Sequence, residues 1–143
     1  MKTLKQIIET KEIKELLTIS PTQTVIEALV VMAEYKIGAL LVTDKDKMVG
    51  IVSERDYARE IILHKKSSKE TLVKDIMTKK VLSLQPSDSF EKGLEIMSEK
   101  KIRHIPVLKG NKIIGMVSQG DLVKEMISHQ KDLISQLEIF IQN

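Results

Sequence analysis

The sequence predicts an α+β fold made of two copies of one strand–helix–strand–strand–helix unit, followed by a long C-terminal helix. Three observations predict it. First, Pro21–Tyr57 overlays Pro86–Leu122 without a gap, 65 residues apart. The identities are Pro21/Pro86, Leu29/Leu94, Met32/Met97, Glu34/Glu99, Lys36/Lys101, Ile37/Ile102, Val42/Val107, Lys47/Lys112, Gly50/Gly115, Val52/Val117, Ser53/Ser118 and Asp56/Asp121. Second, each copy carries one run of helical periodicity and then two short β-prone runs, an order that places helices over a small sheet. Third, the chain has 143 residues, and a unit of roughly 60 residues buries too little surface to be comfortable alone. The copies are therefore expected to share one core. A period this long is outside the range of about 20–50 residues seen in solenoids.

In the first copy, Leu16–Ile19 is a short apolar run stopped by Ser20-Pro21, which predicts a strand end. Thr24-Val25-Ile26-Glu27 has the form of a capping box, in which the threonine oxygen accepts from a helix amide and the glutamate reaches back. Val25, Ala28/Leu29 and Met32 then recur at helical spacing. In the second copy Asp88 and Ser89 open the helix, and Phe90, Leu94 and Met97 form the matching stripe; plain core packing accounts for these side chains. Ala39–Thr43 and Met48–Val52, joined by Asp44–Lys47, predict a hairpin. His104–Leu108 and Ile113–Val117, joined by Lys109–Lys112, predict its twin. Ser53 and Ser118 follow at the N-cap of a new helix.

Lys65–Thr71 connects the copies and reads as a solvated connector. Leu72–Met77 leads into the second copy much as Leu4–Ile8 leads into the first, at an offset of about 69. The expected division is 1–64 for the first domain, 65–71 for the connector, 72–127 for the second domain and 128–143 for a helical tail. In that tail Met126, Leu133, Leu137 and Phe140/Ile141 continue the apolar stripe from Leu122. An amphipathic helix of this kind wants a partner surface. Self-association is expected rather than membrane contact, because the polar face is not rich in lysine and arginine.

Composition closes several function classes. There is no cysteine, which removes disulfides, thiolate catalysis and cysteine metal sites. No stretch is apolar and long enough to span a bilayer. Met1–Thr10 shows no secretory pattern, and a cytoplasmic location is expected. The net charge of +3 suits anionic small molecules. Aromatic residues are 3% of the chain and none lies among the basic residues, so stacking of single-stranded nucleic acid is not expected. No metal-ligand spacing, phosphate-binding loop, dinucleotide fingerprint or nucleophile elbow occurs. No catalytic or metal-ligating residue is expected, and the chain reads as no enzyme.

The chemistry is concentrated in Gly50-Ile51-Val52-Ser53-Glu54-Arg55-Asp56 and Gly115-Met116-Val117-Ser118-Gln119-Gly120-Asp121. Each places a serine and an aspartate at the mouth of a helix. The free amides and positive partial charge there suit a phosphate. The aspartate is an acceptor with two oxygens, which suits adjacent hydroxyls such as a ribose diol. Serine at the N-cap with aspartate three residues on also satisfies the helix without any ligand. The recurrence of both residues, while those between them diverge, favours the ligand reading.

Both copies resemble CBS domains, named after the regulatory region of cystathionine β-synthase. The resemblance rests on the two Gly-x-apolar-Ser-x-x-Asp segments, on Ile102-Arg103-His104-Ile105-Pro106-Val107 and on Ser53-Glu54-Arg55-Asp56-Tyr57, and it spans essentially the whole chain as one pair. It implies a pseudo-twofold pair with two clefts for adenosine ligands: AMP first, with ADP, ATP, NAD(H) or S-adenosylmethionine as other choices. The resemblance further implies that Asp56 and Asp121 take ribose hydroxyls, with Ser53 and Ser118 near ribose or phosphate. By position, Asp121 is expected to share its cleft with Thr18, Ile19, Ile37, Gly38 and Ala39. Asp56 is expected to share its cleft with Leu82, Ser83, Ile102, Arg103 and His104. Arg55, Arg103 and His104 are candidate phosphate contacts; a hydrogen-bonded core role accounts for His104 equally well. Gly120 stands where the first motif has Arg55, and Gly38-Ala39 where the second copy has Arg103-His104, so the two sites are expected to differ. The expected function is an adenine-nucleotide sensor that acts by conformational change on a protein partner or on its own homodimer. A small nucleotide-processing enzyme and a nucleic-acid-binding regulator are the alternatives.

Overall fold

The computed structural model describes residues 2–11 and 16–142; the outer bounds 1 and 143 of the expected division lie outside them. In chain order the elements are α1 (Leu4–Glu9), β1 (Thr18–Ile19), α2 (Val25–Tyr35), β2 (Ala39–Asp44), β3 (Lys47–Ser53), α3 (Glu54–Tyr57), α4 (Phe90–Lys100), β4 (His104–Lys109), β5 (Lys112–Ser118) and α5 (Gln119–Gln142). α3 runs on into a wider π-type turn at Ala58–Ile62, and a short 3-10 turn occupies Val73–Asp75.

Local chemistry explains the boundaries. The Thr24 oxygen accepts from the Glu27 amide, and the Glu27 carboxylate reaches back to the Thr24 hydroxyl and the Gln23 amide. Ser89 does the same for the Lys92 amide at the start of α4. Both helices end on a lysine in the left-handed region, Lys36 and Lys101, each with φ 55. That reversal lets Ile37 and Ile102 donate their amides to the carbonyls of Met32 and Met97, closing the helix as left-handed caps do. The first hairpin turns on Lys45 and Asp46, both at positive φ, and the second on Gly110.

β2 pairs antiparallel with β3 and parallel with β1, in the order β1-β2-β3. β4 and β5 form the matching hairpin. The strand expected at Leu82–Ser83 is absent; what remains is one parallel bridge from Leu84 to Val107. The Leu84 amide donates to Pro106 O, and the Leu108 amide donates to Leu84 O. In a parallel ladder the next rung back, at Leu82, needs the N–H of residue 106. Proline has none, so the strand stops. In the first copy Leu41 holds that position and β1 reaches Thr18.

Two compact units result, each with its own apolar cluster, rather than one shared core. One unit holds the described residues of 15–82 and the other those of 1–14 and 83–143. The first is built on Ile19, Val25, Met32, Leu40, Val42 and Val52, joined by Val73 and Ile76. The second is built on the repeat equivalents Leu84, Phe90, Met97, Ile105, Val107 and Val117, joined by Leu4 and Ile7. The lead-in segments are thus exchanged relative to the sequence order: each packs on the copy it does not precede. Leu4 and Lys5 donate amides to Asp88 O and Pro86 O, while Val73 and Lys74 donate theirs to Gln23 O and Pro21 O. The exchange is how a unit too small to be comfortable completes its core.

Candidate functional site

In the first-repeat unit the antiparallel hairpin brings its own ends together. Ala39 lies opposite Ser53, and the Glu54 amide donates to Gly38 O at 3.0 Å. Ser53 is the N-cap of α3. Its oxygen accepts from the Asp56 amide at 3.2 Å, and its amide and hydroxyl both donate to Asp56 Oδ2 at 2.8 and 3.1 Å. The exposed Arg59 guanidinium stands 3.5 Å from Asp56 Oδ1. The Asp56 side chain is only 9% exposed.

The second-repeat unit repeats this frame with different surroundings. His104 lies opposite Ser118, and the Gln119 amide donates to Arg103 O at 2.8 Å. Ser118 N donates to Asp121 Oδ2 at 2.8 Å, and Asp121 N donates to Ser118 Oγ at 3.1 Å. Lys11 Nζ, from the segment after α1, lies 3.0 Å from Asp121 Oδ2 and donates to Met116 O at 3.0 Å. The Asp121 side chain is 24% exposed, so this carboxylate reaches solvent where Asp56 scarcely does.

Each motif is therefore joined to the hairpin start of its own copy: Gly38-Ala39 to Ser53-Glu54, and Arg103-His104 to Ser118-Gln119. The physical reason is elementary. A motif at the end of a two-stranded antiparallel hairpin sits beside the residues that begin it. Ile37 and Ile102 are half-buried as the residues after the helix caps, and Ile19 and Ala39 are core residues. Thr18, Leu82, Ser83, Arg55 and Arg103 are exposed.

The second site also holds a histidine beside its carboxylate. Burial of His104 holds its pKa below the ordinary histidine value; Asp121 opposes this, and Lys11 and Arg103 reinforce it. His104 is thus held toward its neutral form, able to donate or accept a hydrogen bond but contributing little positive charge at neutral pH. The cations here are Lys11 and Arg103. Sequence reasoning missed Lys11 because it lies far from Asp121 along the chain. The available signal was the 69-residue offset of the lead-in segments, which pairs Lys11 with Lys80. Among the described residues no group of three or more histidine, cysteine, aspartate or glutamate side chains is placed to hold a metal. No helix of these residues is long and apolar enough to cross a membrane.

Comparison with known proteins fits this geometry. A family profile described as CBS domain matches residues 6–63 and 73–128. A mitochondrial CBS domain-containing protein of Arabidopsis thaliana is 38% identical over 124 residues, covering 83% of this chain and 60% of that protein, so the chain spans about three fifths of that relative. A solved protein with CBS domains from Burkholderia ambifaria is 46% identical with a TM-score of 0.86, covering 90% of this chain and 96% of the other. A CBS domain pair solved with 5′-methylthioadenosine and S-adenosyl-L-methionine has the same fold, with a TM-score of 0.79 at 22% identity, covering 90% of this chain and 98% of the other.

Proposed function

The chain belongs to the CBS-domain family, and on that ground we propose that it is a regulatory module that binds an adenosine ligand, with Asp121 at the principal site. The observation that carries this reading is the second-repeat constellation. A partly exposed, acceptor-only carboxylate stands at the mouth of a 24-residue helix with Lys11, Arg103 and His104 around it. Adjacent hydroxyls of a ribose match the carboxylate, and a phosphate matches the cations. The same fold holds adenosine compounds in the relative solved with them. AMP is the leading ligand, with ADP, ATP, NAD(H) and S-adenosylmethionine as the other candidates. Asp56, buried and already held by Ser53 and Arg59, forms the weaker site.

The module is a binder and not an enzyme. A ligand that binds one conformation better shifts the population toward it, by no more than the difference in affinity. The output runs to a protein partner or through a homodimer. α5 supports the second route: Met126, Ile127, Leu133, Ile134, Leu137 and Phe140 are exposed along it at spacings of one helix face. Light scattering checks the homodimer, and a mass of one 16.2 kDa chain would remove it.

Isothermal titration with AMP, ATP, NADH and S-adenosylmethionine tests the ligand reading, on protein shown to be free of co-purified nucleotide. Saturable binding of at least one of them is expected. Asp121→Ala is expected to weaken it about tenfold or more, since a hydrogen bond to a charged group is worth about 1.5–3 kcal/mol. Absence of binding by all four would leave Ser53, Asp56, Ser118 and Asp121 as helix caps and end the ligand reading.

A further inference from the structure

We propose that Lys11 is the residue through which the Asp121 site distinguishes phosphorylated adenosine ligands from adenosine itself. The assignment rests on the reading of Asp121 as a ribose-binding carboxylate and adds a group that neither repeat motif contains. Three observations support it. Lys11 Nζ is fixed 3.0 Å from Asp121 Oδ2 and 3.0 Å from Met116 O. An ammonium has three N–H donors, so these two partners leave one for a ligand oxygen, and the lysine side chain is 29% exposed. Next, the second motif supplies no cation of its own, because Gly120 stands in the place of Arg55. A Cβ built on Gly120 would meet nothing nearer than Ser118 Oγ at 3.7 Å. The space beside the Ser118–Asp121 cap is therefore open, and Lys11 is the cation already held at its edge. Finally, the His104 imidazole is half-buried and held toward its neutral form, and Arg103 is exposed on the surface. Lys11 alone among the three basic groups is tied directly to the carboxylate that would hold the ribose.

The chemistry that follows is specific. A ribose that takes up the Asp121 carboxylate puts its phosphate next to an ammonium whose position is set by a backbone carbonyl. A phosphate gains a charge-assisted hydrogen bond there, and adenosine gains nothing from it. The lysine belongs to the lead-in segment, so occupancy by a phosphorylated ligand also ties residues 2–11 to the site.

The test is titration of adenosine, AMP and ATP into four full-length proteins: wild type, Lys11→Gln, Asp121→Asn and Lys5→Gln. Lys5→Gln removes the same charge from an exposed position on α1. Thermal unfolding of each variant verifies that it is folded. Wild type is expected to prefer AMP and ATP over adenosine. Lys11→Gln is expected to weaken AMP and ATP about tenfold or more while leaving adenosine within about threefold, and Lys5→Gln to match wild type. Equal loss for adenosine and AMP would make Lys11 a tether for the carboxylate and overturn the assignment; unchanged AMP affinity would overturn it too. Nucleotide binding untouched by Asp121→Asn would place the ligand elsewhere and overturn the assignment as well. Failure of wild type to bind any of the three would instead remove the adenosine reading itself, and this assignment with it.

Discussion

Leu4→Ala is expected to destabilise the second-repeat unit by about 2–5 kcal/mol, the range for deleting a buried leucine side chain and leaving its cavity. Leu4 is fully buried and packs in one cluster with Phe90, Met97, Val107 and Leu122. Whole domains of this size are stable by only about 5–15 kcal/mol, so the loss is a large fraction of the total. The location of the damage is as informative as its size. Hydrogen exchange is expected to show lost protection in α4, β4 and β5, which lie far from Leu4 along the chain, and retained protection in β2 and β3, which are nearer in sequence. Protection lost in β2 and β3 instead would mean that the lead-in segment packs on the copy it precedes. A change below about 1 kcal/mol would show that Leu4 is no part of the core.

That exchange is what the sequence could not disclose, although its trace was visible. Core positions followed from the 65-residue period because helical and strand spacings repeat with it: Ile19/Leu84, Met32/Met97, Leu40/Ile105, Val42/Val107 and Val52/Val117 are buried in both units. The lead-in segments showed an offset of 69, and the pairing of their apolar residues Leu4/Val73 and Ile7/Ile76 was legible from it. Which copy they bury against was not, because the two copies offer nearly the same surface. Only the three-dimensional course of the chain decides between them. The shortened strand before Leu84 was legible in principle from Pro106, whose missing N–H removes one rung of the ladder. At the site, the paired Ser and Asp could be read because they sit three residues apart at a helix start. Lys11 was missed, since the contact spans 110 positions along the chain and only the offset of the lead-in segments draws notice to it.

The motif glycines give the last large effect, and they separate a packing role from a ligand role. Gly50 and Gly115 open the two Ser–Asp motifs, which invites the view that both serve a bound ligand. Neither has the positive φ that would demand glycine. What stands beside each is the exchanged lead-in segment. A Cβ on Gly50 would lie 2.7 Å from Met77 Sδ and 2.9 Å from Thr78 O. The methionine end can move, but the carbonyl cannot move freely: it accepts from the Ile51 amide at 3.0 Å, and the Thr78 amide donates to Ile51 O at 2.9 Å. At Gly115 the neighbours are side-chain carbons of Ile8, at 3.1 to 3.5 Å, which can yield by small adjustments. Overpacking costs about 1–3 kcal/mol, and each displaced hydrogen bond adds about 1 kcal/mol. Gly50→Val is therefore expected to cost about 3–5 kcal/mol, because the branched side chain must push the segment off β3 and break both bonds. Gly50→Ala is expected to cost about 1–3 kcal/mol, and Gly115→Ala clearly less. Denaturant unfolding of the three variants measures the order. Equal costs for Gly50→Ala and Gly115→Ala would deny the packing role. Lost nucleotide affinity at unchanged stability would return these glycines to the ligand. The expected asymmetry has one physical source: a backbone carbonyl faces one glycine and a movable side chain faces the other.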